Sequence, residues 1–149
     1  MTLLRVAFLI ALLQAAPPKH LTVLPTASAS SAAAGSQVSL YVDVVPNPGI
    51  HVYAPGAKDF LPIALKISPA TGVTVGTLTY PKSQTLVFEG QKVPVFDRPF
   101  RLTQRVTLGR SLKAGETVTV AGTIDYQACN DQVCFIPASA PVRWTIGVN

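Results

Sequence analysis

Gln37-Val38-Ser39-Leu40-Tyr41-Val42-Asp43-Val44-Val45-Pro46 sets Val38, Leu40, Val42 and Val44 on one side of an extended chain and Ser39, Tyr41, Asp43 and Val45 on the other. A period of two marks a half-buried strand, because successive side chains of extended backbone point to opposite faces. Pro46-Asn47-Pro48-Gly49 ends the run, since proline withholds an N–H and glycine accepts turn dihedrals. Working outward, His51-Val52-Tyr53 is a short extended piece and Pro55-Gly56 turns the chain again. Ile63 to Ile67 puts Leu65 and Ile67 on one face, and Val73 to Tyr80 alternates Val and Leu with Thr and Gly. Phe100 to Leu108 holds Leu102, Gln104, Val106 and Leu108 in one register. Thr117 to Gln127 alternates Val118, Val120 and Ile124 with threonines, and Val142 to Val148 closes the pattern. No window carries a long helical period with caps. Short strands separated by turn signals every roughly 8–12 residues predict an all-β fold, an immunoglobulin-like β-sandwich.

A chain of 149 residues is one domain's worth of protein. With 13% charged and 48% hydrophobic residues it is not a disordered tail. Lys and Arg (12) outnumber Asp and Glu (7) for a net charge of +5, but they are scattered singly rather than gathered on a stripe. That spread argues against a nucleic-acid partner. At the N-terminus, Arg5 precedes the apolar run Val6 to Leu13, and Ala15 and Ala16 follow. A positive start, a short apolar run and a small-residue exit predict a secretory signal peptide over 1–16, with a retained anchor as the alternative. Pro17 and Pro18 open a tether over 17–36, in which His20 to Leu24 is a candidate first strand and Ala27 to Gly35 a low-complexity surface connection. The sandwich is expected over 37–149. Export places the domain in the periplasm or another extracytoplasmic space, where a cysteine pair persists as a disulfide. Cys129 and Cys134 are the only two cysteines, so one intramolecular bridge is available.

The densest chemical signal is Tyr126-Gln127-Ala128-Cys129-Asn130-Asp131-Gln132-Val133-Cys134-Phe135-Ile136-Pro137. A hairpin in this polar loop brings the two Cβ atoms toward the roughly 3.8 Å that a disulfide needs. Closing so short a loop stabilises a fold by only about 2 kcal/mol. Spacing alone leaves a structural bridge and a labile, redox-active one equally open.

The surrounding residues tip that balance. Tyr-Gln-Ala-Cys, a short polar loop, a second cysteine and Pro137 resemble the N-terminal periplasmic domain of the DsbD thiol:disulfide interchange proteins. The resemblance extends to Gly49-Ile50-His51-Val52-Tyr53-Ala54-Pro55, similar to an early extended segment that ends in an aromatic near the active site. It also takes in Tyr80-Pro81-Lys82 and Phe88-Glu89-Gly90, similar to the approach to a cap loop and its tip. It implies an immunoglobulin-like sandwich that relays electrons through a Cys129–Cys134 dithiol. Cys134 is then the attacking sulfur and Phe88, Glu89 and Gly90 the cap-loop candidates. Tyr53, Tyr126 and Asp131 flank the redox loop. Thioredoxin-like proteins and a separate membrane electron donor are the implied partners, and no cofactor is required. The chain departs from the family pattern in its four-residue loop between the cysteines. Leu86 and Val87 stand where the family carries acidic residues, so carboxylate-assisted proton transfer is not expected there. The chain ends at Asn149 without a membrane conduit or a thioredoxin-like domain, so its reductant is expected to be another protein.

The other candidates are blander. A zinc site built from the cysteines with His20 and His51 fails on spacing, and no metal is expected. His51 reads as a loop histidine near the surface, Trp144 as a core anchor of the last strand, and Asp131 as solvated. Phe88 between Ser83-Gln84 and Glu89-Gly90 reads as a loop tip with a shielding ring. Cys129 follows strand-forming residues and is expected to be held by the sheet, with Cys134 nearer the rim. No Lys, Arg or His inside the loop lowers its thiol, and Asp131 acts the other way. The competing reading is a non-catalytic envelope-binding module of the same fold with a structural disulfide.

Overall fold

The computed structural model describes residues 19–149, so the expected signal peptide over 1–16 lies outside it. Every regular element among the described residues is a strand. In chain order these are β1 (Leu21–Ala27), β2 (Ser31–Ala32), β3 (Gln37–Pro46), β4 (His51–Tyr53), β5 (Ala64–Ile67) and β6 (Val73–Thr79). They continue as β7 (Gln84–Phe88), β8 (Gln91–Phe96), β9 (Phe100–Leu108), β10 (Thr117–Tyr126), β11 (Ala128–Cys129) and β12 (Ala138–Val148). Two four-stranded sheets, ordered β1-β3-β9-β6 and β2-β12-β10-β5, make the sandwich. Their alternating apolar residues supply the core: Val38, Leu40, Val42 and Val44 from one sheet, Val120, Ile124, Trp144 and Ile146 from the other. Trp144 Nε1–H donates to the Tyr41 carbonyl at 3.2 Å, which ties β12 to β3. Gly122 lets β5 approach β10, because a Cβ there would lie 2.5 Å from the Lys66 carbonyl.

The segment between the prolines and Gln37 is built into the sheets. β1 pairs with β3 along its whole length, Leu21 opposite Pro46 through Ala27 opposite Leu40. β2 adds in parallel to the end of β12. The candidate first strand over His20 to Leu24 is found as β1, which runs on to Ala27 and adds residues of the expected tether to the first sheet. The low-complexity stretch after it still supplies β2, because backbone pairing to β12 makes no demand on the side chains.

A third small sheet, β11-β4-β8-β7, carries the cysteines. One of its faces sends Val52, Phe96 and Ala128 into the main core. The opposite face gathers Tyr53, Val93, Val95 and Cys129 into a separate cluster, with Ala57, Phe60 and Leu86 against it. The alternation of side chains along each short strand produces this division. The segment leading to Phe88 is thus a strand. Gln84 opposite Val95 through Phe88 opposite Gln91 form a hairpin. Its two-residue turn is Glu89-Gly90, both with positive φ (48° and 78°), the geometry that matches the twist of the flanking strands.

Candidate redox site

Cys129 and Cys134 are joined in a disulfide. The loop between them is closed by one side chain: Asn130 Oδ1 accepts from the backbone N–H of Gln132 at 2.9 Å and of Val133 at 2.8 Å. Asn130 N–H in turn donates to the Val133 carbonyl at 2.9 Å. Asparagine suits this place because its short amide imitates a turn of backbone. Beyond the loop, Phe135 N–H returns to the Ala128 carbonyl, and Gln127 Nε2 donates to the Phe135 carbonyl. The two sulfurs are placed unequally. Cys129 is 1% exposed and pairs with β4, whereas Cys134 lies on the exposed loop.

An aromatic stack leads away from the disulfide. The Tyr53 hydroxyl lies 3.5 Å from Cys134 Sγ, and since a disulfide sulfur carries no proton, the hydroxyl is the donor. Burial holds the Tyr53 phenol above its ordinary value, so it stays protonated at neutral pH. Phe60 stacks on Tyr53 with ring centroids 4.1 Å apart, and Phe88 meets Phe60 edge-on at 6.4 Å. Phe88 is 50% exposed and reaches Tyr53 through Phe60. Phe60 was not singled out from the sequence, because it sits in an irregular stretch after Lys58-Asp59 where no period marks it.

His51 corrects the sequence reading. It is not a surface loop residue: it lies on β4, is 7% exposed, and is the direct cross-strand partner of Cys129. Its Nε2 is buried with no hydrogen-bond partner. Burial pushes the imidazole below the ordinary histidine value, against Asp131 and Asp97, which favour the charged form. The ring meets Tyr53 edge-on at 5.5 Å. The signal that it belongs to a strand was present in His51-Val52-Tyr53; its pairing with a cysteine far along the chain was not.

Of the other singled-out residues, Asp131 is exposed on the loop and lines a cavity of about 290 Å³ with His51 and Asp97. Glu89 and Gly90 form the hairpin turn and are exposed. Tyr126 belongs to the main core, and its hydroxyl donates to the Lys19 carbonyl at 2.8 Å. His20, distant from the pair in sequence, stacks on Phe135 with centroids 3.9 Å apart. Trp144 is in the core as expected.

Solved structures that share the fold include three of domains from bacterial proteins. The reduced DsbD N-terminal domain of Neisseria meningitidis is 17% identical, over 85% of this chain and 86% of that one, with a TM-score of 0.50. The N-terminal periplasmic domain of ScsB from Proteus mirabilis is 14% identical, over 85% of this chain and 47% of that one, at 0.59. A complex between the DsbD N-terminal and PilB N-terminal domains of Neisseria meningitidis gives 18% identity, over 86% and 85%, at 0.54. No curated protein matches the sequence. Residues 20–143 match the family of thiol:disulfide interchange protein DsbD, N-terminal, a span that runs from β1 to the middle of β12 and takes in the whole cysteine loop. This chain, with its disulfide-forming pair on an immunoglobulin-like sandwich, belongs to the DsbD N-terminal domain family.

Proposed function

We propose that this domain is an extracytoplasmic thiol–disulfide exchange module. Its Cys129–Cys134 disulfide takes two electrons from a thioredoxin-like or membrane-bound donor, and the resulting dithiol passes them to an oxidised thioredoxin-like partner. The observation that supports this reading best is the unequal placement of the pair, with Cys129 buried in the sheet and Cys134 at the exposed rim. One sulfur is accessible to a partner while the other waits beneath it, which is what exchange through a mixed disulfide requires. Val133, Ile136 and Phe88 expose large apolar side chains on the loop and the neighbouring hairpin, a surface that suits a protein partner. A related DsbD domain captured with a PilB domain supports a protein as the partner. A signal peptide over 1–16 would deliver the domain to the periplasm.

Equilibrium titration against glutathione or a reference dithiol tests the reading. An exposed, exchanging bridge is expected at about −180 to −270 mV, the range of the disulfide isomerases and thioredoxins. A potential below about −300 mV would return the bridge to a structural role in an envelope-binding module.

The rings beside the bridge act as its shield. Phe60 lies against Tyr53 and Phe88 lies against Phe60, so the two have unequal reach. Phe60→Ala should speed alkylation of the reduced pair by a small haloacetamide several-fold, and Phe88→Ala should speed it less. Equal rates in the wild type and both variants would mean that the stack shields nothing.

A further inference from the structure

We propose that His51 is the proton acceptor for the Cys129 thiol in the step that releases the partner, an assignment that rests on the exchange reading above. Directly opposed residues of antiparallel strands place their Cβ atoms about 4.5–5.5 Å apart on the same face. His51 and Cys129 are such a pair, both nearly inaccessible. His51 Nε2 is buried without a partner, and in the oxidised protein Cys129 has no proton to offer it. Reduction creates that proton, on the residue directly across the strand pair.

The chemistry needs such a group. The Cys134 thiolate attacks the partner's disulfide, forming the Cys134–partner bond, and the partner's other sulfur leaves as a thiolate that takes up a proton. Cys129 must then lose its own proton to become a nucleophile, and burial in an apolar cluster disfavours the thiolate. His51 Nε2 accepts the proton, and Cys129 attacks Cys134 Sγ. The Cys129–Cys134 bond forms, the Cys134–partner bond breaks, and the departing partner sulfur is protonated from the imidazolium or water. Two electrons and two protons have moved to the partner. In the reverse direction a donor thiol loses its proton and attacks Cys134 Sγ, the Cys129–Cys134 bond breaks, and the departing Cys129 takes up a proton from water through His51, which ends neutral as it began.

The groups around His51 fit this task. From β4 Tyr53 presents a protonated phenol, from the end of β8 Asp97 and from the redox loop Asp131 present carboxylates, and β11 presents Cys129 itself. β7 brings only Thr85 and Leu86 to the same cavity. Burial keeps the resting imidazole neutral and able to accept, and the two carboxylates favour the imidazolium once it forms. His20 stands apart, stacked on Phe135.

The test follows the reaction of the reduced protein with an aromatic disulfide that releases a coloured thiolate. The first equivalent reports attack by Cys134 and the second reports attack by Cys129. In His51→Gln the second phase is expected to be about a hundredfold slower at pH 7, the lower end of what a positioned base supplies. The first phase should be unchanged, which also shows that the site is intact. His51→Phe, which keeps a ring against Tyr53 but has no acceptor, should behave alike. In the wild type the second phase should slow in acid, at a pH below the ordinary histidine range, as the buried imidazole becomes charged. In the variants it should climb steadily with pH and close the gap in alkali. Equal second phases in wild type and both variants would overturn the assignment, as would a wild-type profile that climbs with pH in parallel with the variants'. If the wild-type dithiol does not reduce an oxidised thioredoxin-like domain, the exchange reading falls instead.

Discussion

Cys129→Ser is expected to hold a thioredoxin-like partner in a stable mixed disulfide through Cys134, whereas Cys134→Ser is expected to hold almost none. A thiolate displaces a sulfur along the axis of the bond it breaks, so the attacking residue must be open to a second protein. Cys134 is on the exposed loop, between the exposed Val133 and the partly buried Phe135, with Tyr53 alone donating to its sulfur. Cys129 is at 1% exposure within the strand pair β4–β11, where a folded partner has no approach. Removing Cys129 takes away the sulfur that would release the partner, so the mixed disulfide accumulates. Removing Cys134 leaves a thiol under the loop. The measurement is the yield of covalent complex with a thioredoxin-like partner carrying one activated cysteine, read by mass under non-reducing conditions. A majority yield for Cys129→Ser against a few per cent for Cys134→Ser is the expected contrast. Equal yields would show that the loop opens enough to expose both sulfurs, and the reverse order would make Cys129 the attacker.

Trp144→Ala is expected to lower the stability of the sandwich by about 3–5 kcal/mol, the usual cost of emptying a buried tryptophan site. The side chain is buried between the sheets opposite Val120, and its N–H reaches across to the Tyr41 carbonyl at 3.2 Å. The substitution therefore opens a cavity and removes a cross-sheet hydrogen bond together. Because domains of this size hold only about 5–15 kcal/mol in total, the variant should unfold at much lower denaturant. Far-ultraviolet circular dichroism in urea is the right probe, since Trp144 is the only tryptophan and its fluorescence goes with it. Trp144→Phe keeps most of the volume and loses the hydrogen bond, so it should cost less than Trp144→Ala. A loss under about 1 kcal/mol for the alanine variant would mean that the sheets repack without the indole.

The site and the core draw on separate parts of the small sheet. Val52, Phe96 and Ala128 anchor it to the sandwich from one face, while Tyr53, Val95 and Cys129 face the bridge. Changes at Phe60 and Phe88 should therefore have little effect on the main core.

The strands of the sandwich were legible in the sequence wherever one face is buried and the other wet. β3, β9 and β10 repeat the two-residue period, and their bounds lie within a residue or two of the expected ones. The cysteine loop was legible for a different reason: Cys129, Asn130 and Cys134 interact over a few residues, and local geometry is written locally. What the tertiary structure alone decided is pairing between distant segments. β1 is drawn into the sheet by the free edge of β3, although its own side chains are mostly outward. Phe60 comes to rest on Tyr53 from an irregular loop, and His51 is buried because β11 returns alongside β4 and sets Cys129 across from it. No local pattern encodes such neighbours, because the energy that selects them comes from closing the whole sheet and burying its faces, not from the preferences of the residues that end up in contact.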